Sequence, residues 1–233
     1  MISLLYRSPR PLVTYLLIAI NAAIFLYQLS LTNLEEYRFV YQFGLVPWEL
    51  TMGEEIAQRP VYDGFRVWVL DVASPIPAWG TIFSSMFVHS GWLHFGLNML
   101  FLWVAGEGVE ARVGHLKLVL LYAAAGAGGV GAHVLVNSDS LVPLVGASGA
   151  ISGILGVYLV AYPLSRSTIF ILFWFISQLL NIVSSHGAVA AEVGIAYTAH
   201  VGGFVAGVLL MVGYTLAAAG SPGNKRRQGY MDQ

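Results

Sequence analysis

Long stretches of this chain carry no formal charge, and short polar segments separate them. A hydrocarbon core of about 30 Å is crossed by roughly 20 apolar residues in a helix, so the stretches can be counted directly. They run approximately over 11 to 30, 91 to 109, 116 to 136, 147 to 162, 168 to 186 and 194 to 216. The pattern predicts an all-α, polytopic membrane bundle of six transmembrane helices with both termini on one side. It divides the chain into an N-terminal segment, 1 to 10, a membrane domain, 11 to 219, with a long loop at about 31 to 90, and a tail, 220 to 233.

Composition agrees: the chain is 57% hydrophobic and only 10% charged, with a mean hydropathy of +0.72, more than a soluble domain of 233 residues needs to fill its core. Charge adds an orientation, because Lys and Arg resist translocation. Arg7, Arg10, Arg112, Lys117, Arg166, Lys225, Arg226 and Arg227 all flank spans on one side, so the termini are expected in the cytoplasm. Arg38, Arg59 and Arg66 fall in the long loop among seven acids, Glu35, Glu36, Glu49, Glu54, Glu55, Asp63 and Asp71, so that loop is expected outside. Its aromatics, including Trp48, Tyr62, Phe65, Trp68 and Trp79, suit the headgroup layer; a small globular insert is the alternative. The tail, "GSPGNKRRQGYMDQ", reads as disordered and cytoplasmic. Without cysteine, disulfides, thiolate nucleophiles and Cys-ligated zinc are excluded. The first span lacks a small-residue cleavage signal and reads as retained, and the near-neutral net charge argues against a nucleic-acid partner.

The fourth span is unusual. "LVGASGAISG", residues 144 to 153, lies in a run of 26 uncharged residues yet carries two serines and three glycines. Pro143 and Gly146 are loop signals, and a helix from Ser148 to Pro163 would rise only about 22 Å, less than the membrane thickness. Its N-terminus is therefore expected within the membrane, where irregular backbone is tolerated only when buried in protein or facing a water-filled cavity. A helix N-terminus offers unpaired N–H groups and partial positive charge, which suits the oxyanion formed when a hydroxyl attacks a carbonyl. Ser148 is then either a simple helix cap or a nucleophile, and a nucleophile needs a base.

Of six histidines, His115 falls in the short loop after span two and His186 in that after span five, both solvated; His133 lies deep in span three and reads as structural. His200, in "YTAHVGGFVAG", sits about six residues into span six, at the depth expected for Ser148. A buried imidazole there is either functional or an interhelical hydrogen-bonding group. Gly149 and Gly153 in span four, and Gly203 and Gly207 in span six, form small-xxx-small patterns that let backbones approach. No carboxylate sits near this depth in either helix, and Glu192 lies too near the surface, so the arrangement suits a Ser-His dyad.

Span two brings "HSGWLHFGLN", residues 89 to 98. His94 and Asn98, four apart, share a helical face, and both can donate hydrogen bonds as an oxyanion hole requires. A metal site competes, but no carboxylate ligand or HExxH pattern accompanies it, so no metal is expected. His89 lies off that face and supports the loop.

"HSGWLHFGLNMLF", "GASGAISGILG" and "AHVGGFVAG", in that order on the second, fourth and sixth spans, resemble the motifs of the rhomboid family of intramembrane serine proteases over roughly residues 79 to 213. The resemblance implies Ser148 as nucleophile, His200 as base and then acid, and His94 with Asn98 as oxyanion donors beside the Ser148 N–H. It places "GVEARVG", residues 108 to 114, in the turn after span two, and a gate for substrates around Trp174 to Ala190. It implies substrates that are membrane proteins cut in or next to a transmembrane helix, small residues before the scissile bond, and no cofactor. Two departures stand out. Many members carry an aromatic ring stacked on the histidine where this chain has Ser152, and Arg where this chain has Gly80 after Trp79. Histidine orientation must come from another group, the loop is expected to be held differently, and Ser152 reads as a packing residue.

The expected function is therefore a cofactor-free intramembrane serine endopeptidase in the bilayer, in a bacterial plasma membrane given the basic flanks and the absence of a transit peptide. A non-catalytic relative that binds transmembrane clients is the alternative. A small-solute transporter is disfavoured by the lack of intramembrane acids and paired broken helices.

Overall fold

The computed structural model describes residues 10–62, 64–184 and 196–220. The tail beyond Gly220, His186, Glu192, the last six residues of the expected gate and all but Arg10 of the N-terminal segment lie outside the described residues. The described chain is mostly helical. Helix α1, Leu12–Leu29, is followed by α2, Asn33–Phe43, α3, Pro47–Met52, a β-hairpin, the short α4, Thr81–Ser84, and a 3₁₀ turn, Ser85–Phe87. Then come α5, Trp92–Val113, α6, His115–Val136, α7, Ser148–Ala161, α8, Arg166–Ser184, and α9, Tyr197–Gly220. By length and composition α1, α6, α8 and α9 are long and apolar enough to cross a membrane. Helix α5 carries Glu107, Glu110 and Arg112 in its last two turns, and α7 has 14 residues, about 21 Å of rise.

Helices α1 and α5 run antiparallel and are pinned at both ends by polar pairs that an apolar environment makes obligatory. At one end the Gln28 amide donates to the His89 carbonyl and accepts from the His89 N–H, both at 3.0 Å. At the other, the fully buried Glu110 carboxylate of α5 accepts from the N–H groups of Val13 and Thr14 at 2.8 Å and from the Thr14 hydroxyl at 2.6 Å. These are orphan donors of the first turn of α1, so a carboxylate caps that helix from across the bundle. The span expected to end at 109 continues to Val113 because Glu110 turns inward. His115, expected to be solvated, places Nδ1 2.5 Å from the same carboxylate with 42% of its side chain exposed.

Helices α6, α7 and α9 form the close-packed centre, where glycines replace side chains. A Cβ added at Gly203 or Gly207 of α9 would lie 2.0 Å from the carbonyl oxygen of Gly149 or Gly153 of α7. At Gly202 it would lie 2.2 Å from the Ala132 Cβ of α6, and at Gly153 2.1 Å from the Ala125 Cβ. Around this centre lie buried Leu102, Val109, Leu118, Ile154, Phe204 and Met211. Helix α8 sits outside it, fastened to α9 by Phe175 stacked on Phe204 with centroids 4.1 Å apart.

The 31 to 90 segment is a folded unit and adds one element that the all-α reading omits. Strands β1, Gln58–Tyr62, and β2, Val67–Asp71, pair antiparallel with Val61 opposite Trp68. Tyr41, Val46, Leu70 and Val72 make a small core into which Trp48 and Trp68 pack, while Tyr62, Phe65 and Trp79 remain exposed. Trp48 and Trp68 thus belong to the small core that the alternative reading expects. Gly80 opens α4 with its N–H on the Pro77 carbonyl at 2.7 Å. The loop is held instead by Ser84 Oγ donating to the Phe43 carbonyl at 2.7 Å and by exchanged backbone bonds between Leu45 and Leu144 at 3.0 and 2.7 Å.

Candidate active site

The loop–α7 junction sets the position of Ser148. Beyond the Leu45–Leu144 bridge, the Trp48 N–H donates to the Ser140 carbonyl at 3.1 Å and Thr51 Oγ1 to the Ser138 carbonyl at 2.7 Å. The Gly146 N–H then donates to the Ser85 carbonyl at 2.8 Å, so the 31 to 90 unit holds the strand-like approach to α7 on both sides. Gly146 has φ +115°, a left-handed conformation open to glycine and strained for other residues. A Cβ there would also lie 2.6 Å from His94 Cε1 and Nε2 and 3.7 Å from Ser148 Oγ. Sequence reasoning took Gly146 only as a loop signal; its bare Cα is what lets the His94 ring approach.

Ser148 is the first residue of α7, so its N–H belongs to the turn that lacks intrahelical acceptors. Its hydroxyl lies 2.8 Å from His200 Nε2. His200 is the fourth residue of α9, which begins at Tyr197 rather than at 194, so both groups sit at helix starts on the same side of the close-packed centre. The glycine contacts explain the approach: Gly149 and Gly203, each next to the site, put the two backbones in contact. Both Ser148 and His200 are half-buried.

The other ring nitrogen of His200, Nδ1, lies 2.8 Å from Gln178 Oε1 on α8. Trp174 sits one helical turn earlier, with its ring centroid 6.0 Å from that of His200, and Tyr197 approaches edge-on at 6.4 Å. Sequence reasoning missed Gln178. A glutamine in a lipid-exposed helix was its only signal, since the 22-residue gap to His200 has no local meaning.

His94, in the first turn of α5, has Ser90 Oγ 3.0 Å and the Ser90 backbone N–H 3.5 Å from its Nδ1. A backbone N–H can only donate, so Nδ1 is the acceptor and the ring proton belongs on Nε2, the atom that faces Gly146 and Ser148. Asn98 is buried one turn on and gives one amide N–H to the His94 carbonyl at 2.7 Å, leaving the second free of that bond. The structure thus brings Ser148, His200 and His94 around one point, with Asn98 bonded to the His94 backbone. Ser152 donates to the Ser148 carbonyl at 2.5 Å and is buried.

His89 is fully buried and packs edge-on against Phe95 at 5.5 Å, with its backbone held by Gln28. His133 bonds Thr198 Oγ1 at 3.0 Å three residues before α6 ends, so it lies near a helix end rather than deep in the span. Among the described residues no cluster of three or more His, Asp or Glu side chains could hold a metal ion. Chemically the arrangement offers a hydroxyl, an imidazole acceptor facing it, and N–H donors from His94 and the α7 N-terminus beside it.

A Rhomboid domain model matches residues 77–217. The chain is 31% identical over 148 residues to Rhomboid protease GluP of Bacillus subtilis (strain 168), covering 63% of this chain and 28% of that protein. It is 35% identical over 130 residues to RHOMBOID-like protein 1 of Arabidopsis thaliana, covering 55% and 33%. It is 33% identical over 82 residues to Putative rhomboid protease YdcA of Bacillus subtilis (strain 168), covering 35% and 40%. The chain thus spans less than half the length of these relatives. The domain match covers more than half of the 233 residues, and with four helices able to cross a membrane the chain belongs to the rhomboid family as an integral, multi-pass membrane protein.

Proposed function

We propose that this chain is an intramembrane serine endopeptidase working through a Ser148–His200 dyad. The observation that carries the reading is the 2.8 Å contact between Ser148 Oγ and His200 Nε2, made between helices whose glycines bring the two backbones into contact. Ser148 Oγ attacks the scissile carbonyl carbon and its proton passes to His200 Nε2. Charge developing on the carbonyl oxygen is met by the Ser148 N–H, His94 Nε2–H and the free amide N–H of Asn98. His200 then protonates the leaving amine. Water then attacks the acyl carbon as it gives a proton to Nε2, and Nε2 passes that proton to Ser148 Oγ as the acyl–oxygen bond breaks, releasing the acid and restoring Ser148.

The same reading takes α5 and the short α7 as membrane helices alongside the four long ones, six in all. It puts Ser148 below the outer surface and both termini in the cytoplasm. The substrates are membrane proteins cut in or beside a transmembrane segment, the region around α8 is their gate, and a bacterial plasma membrane is the setting. The names of two relatives, Rhomboid protease GluP and Putative rhomboid protease YdcA, support an enzyme over a client-binding relative.

The test is a fluorophosphonate probe on detergent-purified protein. Labelling is expected in the wild type and absent in Ser148→Ala and His200→Ala, with cleavage of a transmembrane substrate lost in parallel, a fall of at least ~10³-fold. A folded wild type that neither labels nor cleaves would overturn the reading in favour of client binding.

A further inference from the structure

Among the described residues no carboxylate bonds His200, yet one ring nitrogen must carry the proton and the other must face Ser148. We infer that Gln178 of α8 is the positioning residue that sets this tautomer, an inference that rests on the reading of Ser148 and His200 as nucleophile and base. The argument runs through the hydrogen-bond network. Ser177 Oγ donates to the Trp174 carbonyl at 2.5 Å, and the Gln178 amide nitrogen donates to Ser177 Oγ at 3.1 Å and toward the Trp174 carbonyl at 3.4 Å. Turning the amide over would set its oxygen against the Trp174 carbonyl oxygen, two acceptors face to face. The network therefore fixes Oε1 on the side of His200, 2.8 Å from Nδ1.

An amide oxygen only accepts, so Nδ1 must bear the hydrogen. That leaves Nε2 with its lone pair directed at the Ser148 hydroxyl 2.8 Å away. Gln178 is buried, so water does not compete for Nδ1 as it would at a surface. When Nε2 takes the serine proton, the same amide dipole faces the imidazolium and stabilises it, less than a carboxylate would. The group comes from neither helix of the dyad. The competence of the base therefore depends on how α8 is seated, and α8 lies outside the glycine-packed centre, held by the Phe175–Phe204 stack.

The test uses the full chain in detergent with ¹⁵N-labelled histidine, the His200 signal being assigned by its loss in His200→Ala. The wild type is expected to show the Nδ1–H tautomer of His200. Gln178→Leu, similar in volume and without an acceptor, is expected to mix the tautomers and to lower kcat on the order of 10- to 100-fold with KM unchanged. Gln178→Glu keeps an oxygen at the same reach and is expected to restore the tautomer and a rate within about threefold of the wild type. An Nε2–H tautomer in the wild type, or an unchanged tautomer and rate in Gln178→Leu, overturns the inference. A Gln178→Glu protein as impaired as Gln178→Leu does the same, because it shows packing rather than hydrogen bonding at work. A wild type with the Nδ1–H tautomer that never labels with fluorophosphonate overturns instead the catalytic premise, which separates the two failures.

Discussion

Two small residues within four positions of the Ser148 hydroxyl have opposite expected sensitivities. Gly146 combines φ +115° with a Cβ position 2.6 Å from the His94 ring, so Gly146→Ala must both strain the backbone and push the ring away. It is expected to cost about 1–2 kcal/mol of stability from the backbone alone and to depress fluorophosphonate labelling beyond what the lost folded fraction explains. Ser152→Ala removes only a hydroxyl that bonds a carbonyl already inside a helix, and its expected cost is about 1 kcal/mol or less with labelling retained. Thermal melts of the purified variants, read beside their labelling rates, check both. At this scale the sequence is legible where a polar residue interrupts an apolar run, which is why Ser148, His94 and His200 can be picked out by eye. Gln178 and the second function of Gly146 cannot, because the first matters through a residue distant in the chain and the second through an empty volume.

Between helices, the small-residue patterns are readable but their division of labour is not. Gly203 and Gly207 present their bare faces to carbonyl oxygens of α7, which are backbone atoms and cannot yield. Gly153 makes room for Ala125 of α6, and Gly149 is in ordinary contact, 3.6 Å from the Ala199 carbonyl oxygen. Four glycines that look equivalent in sequence therefore divide into three kinds. Gly203→Ala or Gly207→Ala is expected to separate α7 from α9 at a cost of about 1–3 kcal/mol and to abolish labelling in the folded fraction, since the dyad spans that seam. Gly131→Ala and Gly213→Ala, whose added Cβ atoms would meet nothing within 4 Å, serve as controls and are expected to be neutral or to stabilise by up to about 1 kcal/mol through helix propensity. Melting temperatures and labelling of the four variants decide the matter. The hairpin and the small core of the 31 to 90 unit were illegible for a related reason: Trp48 and Trp68 look like interfacial aromatics until their partners, Val46, Leu70 and Val72, are brought beside them by tertiary pairing.

Across the whole molecule, the scaffold and the candidate site are held by different polar anchors at opposite ends of α5. His94 lies in the first turn of that helix and Glu110 in the last, 16 residues or about 24 Å apart along the axis. Glu110 carries the buried part of the α1 end, where Glu107 accepts only the exposed Tyr15 hydroxyl: one Glu110 oxygen takes Val13 N–H and His115, the other takes the N–H and hydroxyl of Thr14. Glu110→Ala leaves three buried donors of α1 without an acceptor and is expected to cost roughly 3 kcal/mol or more. Glu110→Gln keeps one oxygen but turns an NH₂ toward donors, so it is expected to recover less than half of that loss. His115→Ala, with its ring 42% exposed, is expected to cost under about 1 kcal/mol. The same distance makes the functional expectation sharp. The Gln28–His89 pair and the bonds from the 31 to 90 unit to the 138–146 segment hold the Ser148 end independently of Glu110. Protein carrying Glu110→Ala should therefore melt well below the wild type yet label with fluorophosphonate at the wild-type rate per folded molecule below its transition. Labelling that falls in step with α1 detachment at low temperature would show instead that the site needs α1 in place, and that the two ends of the bundle act as one unit.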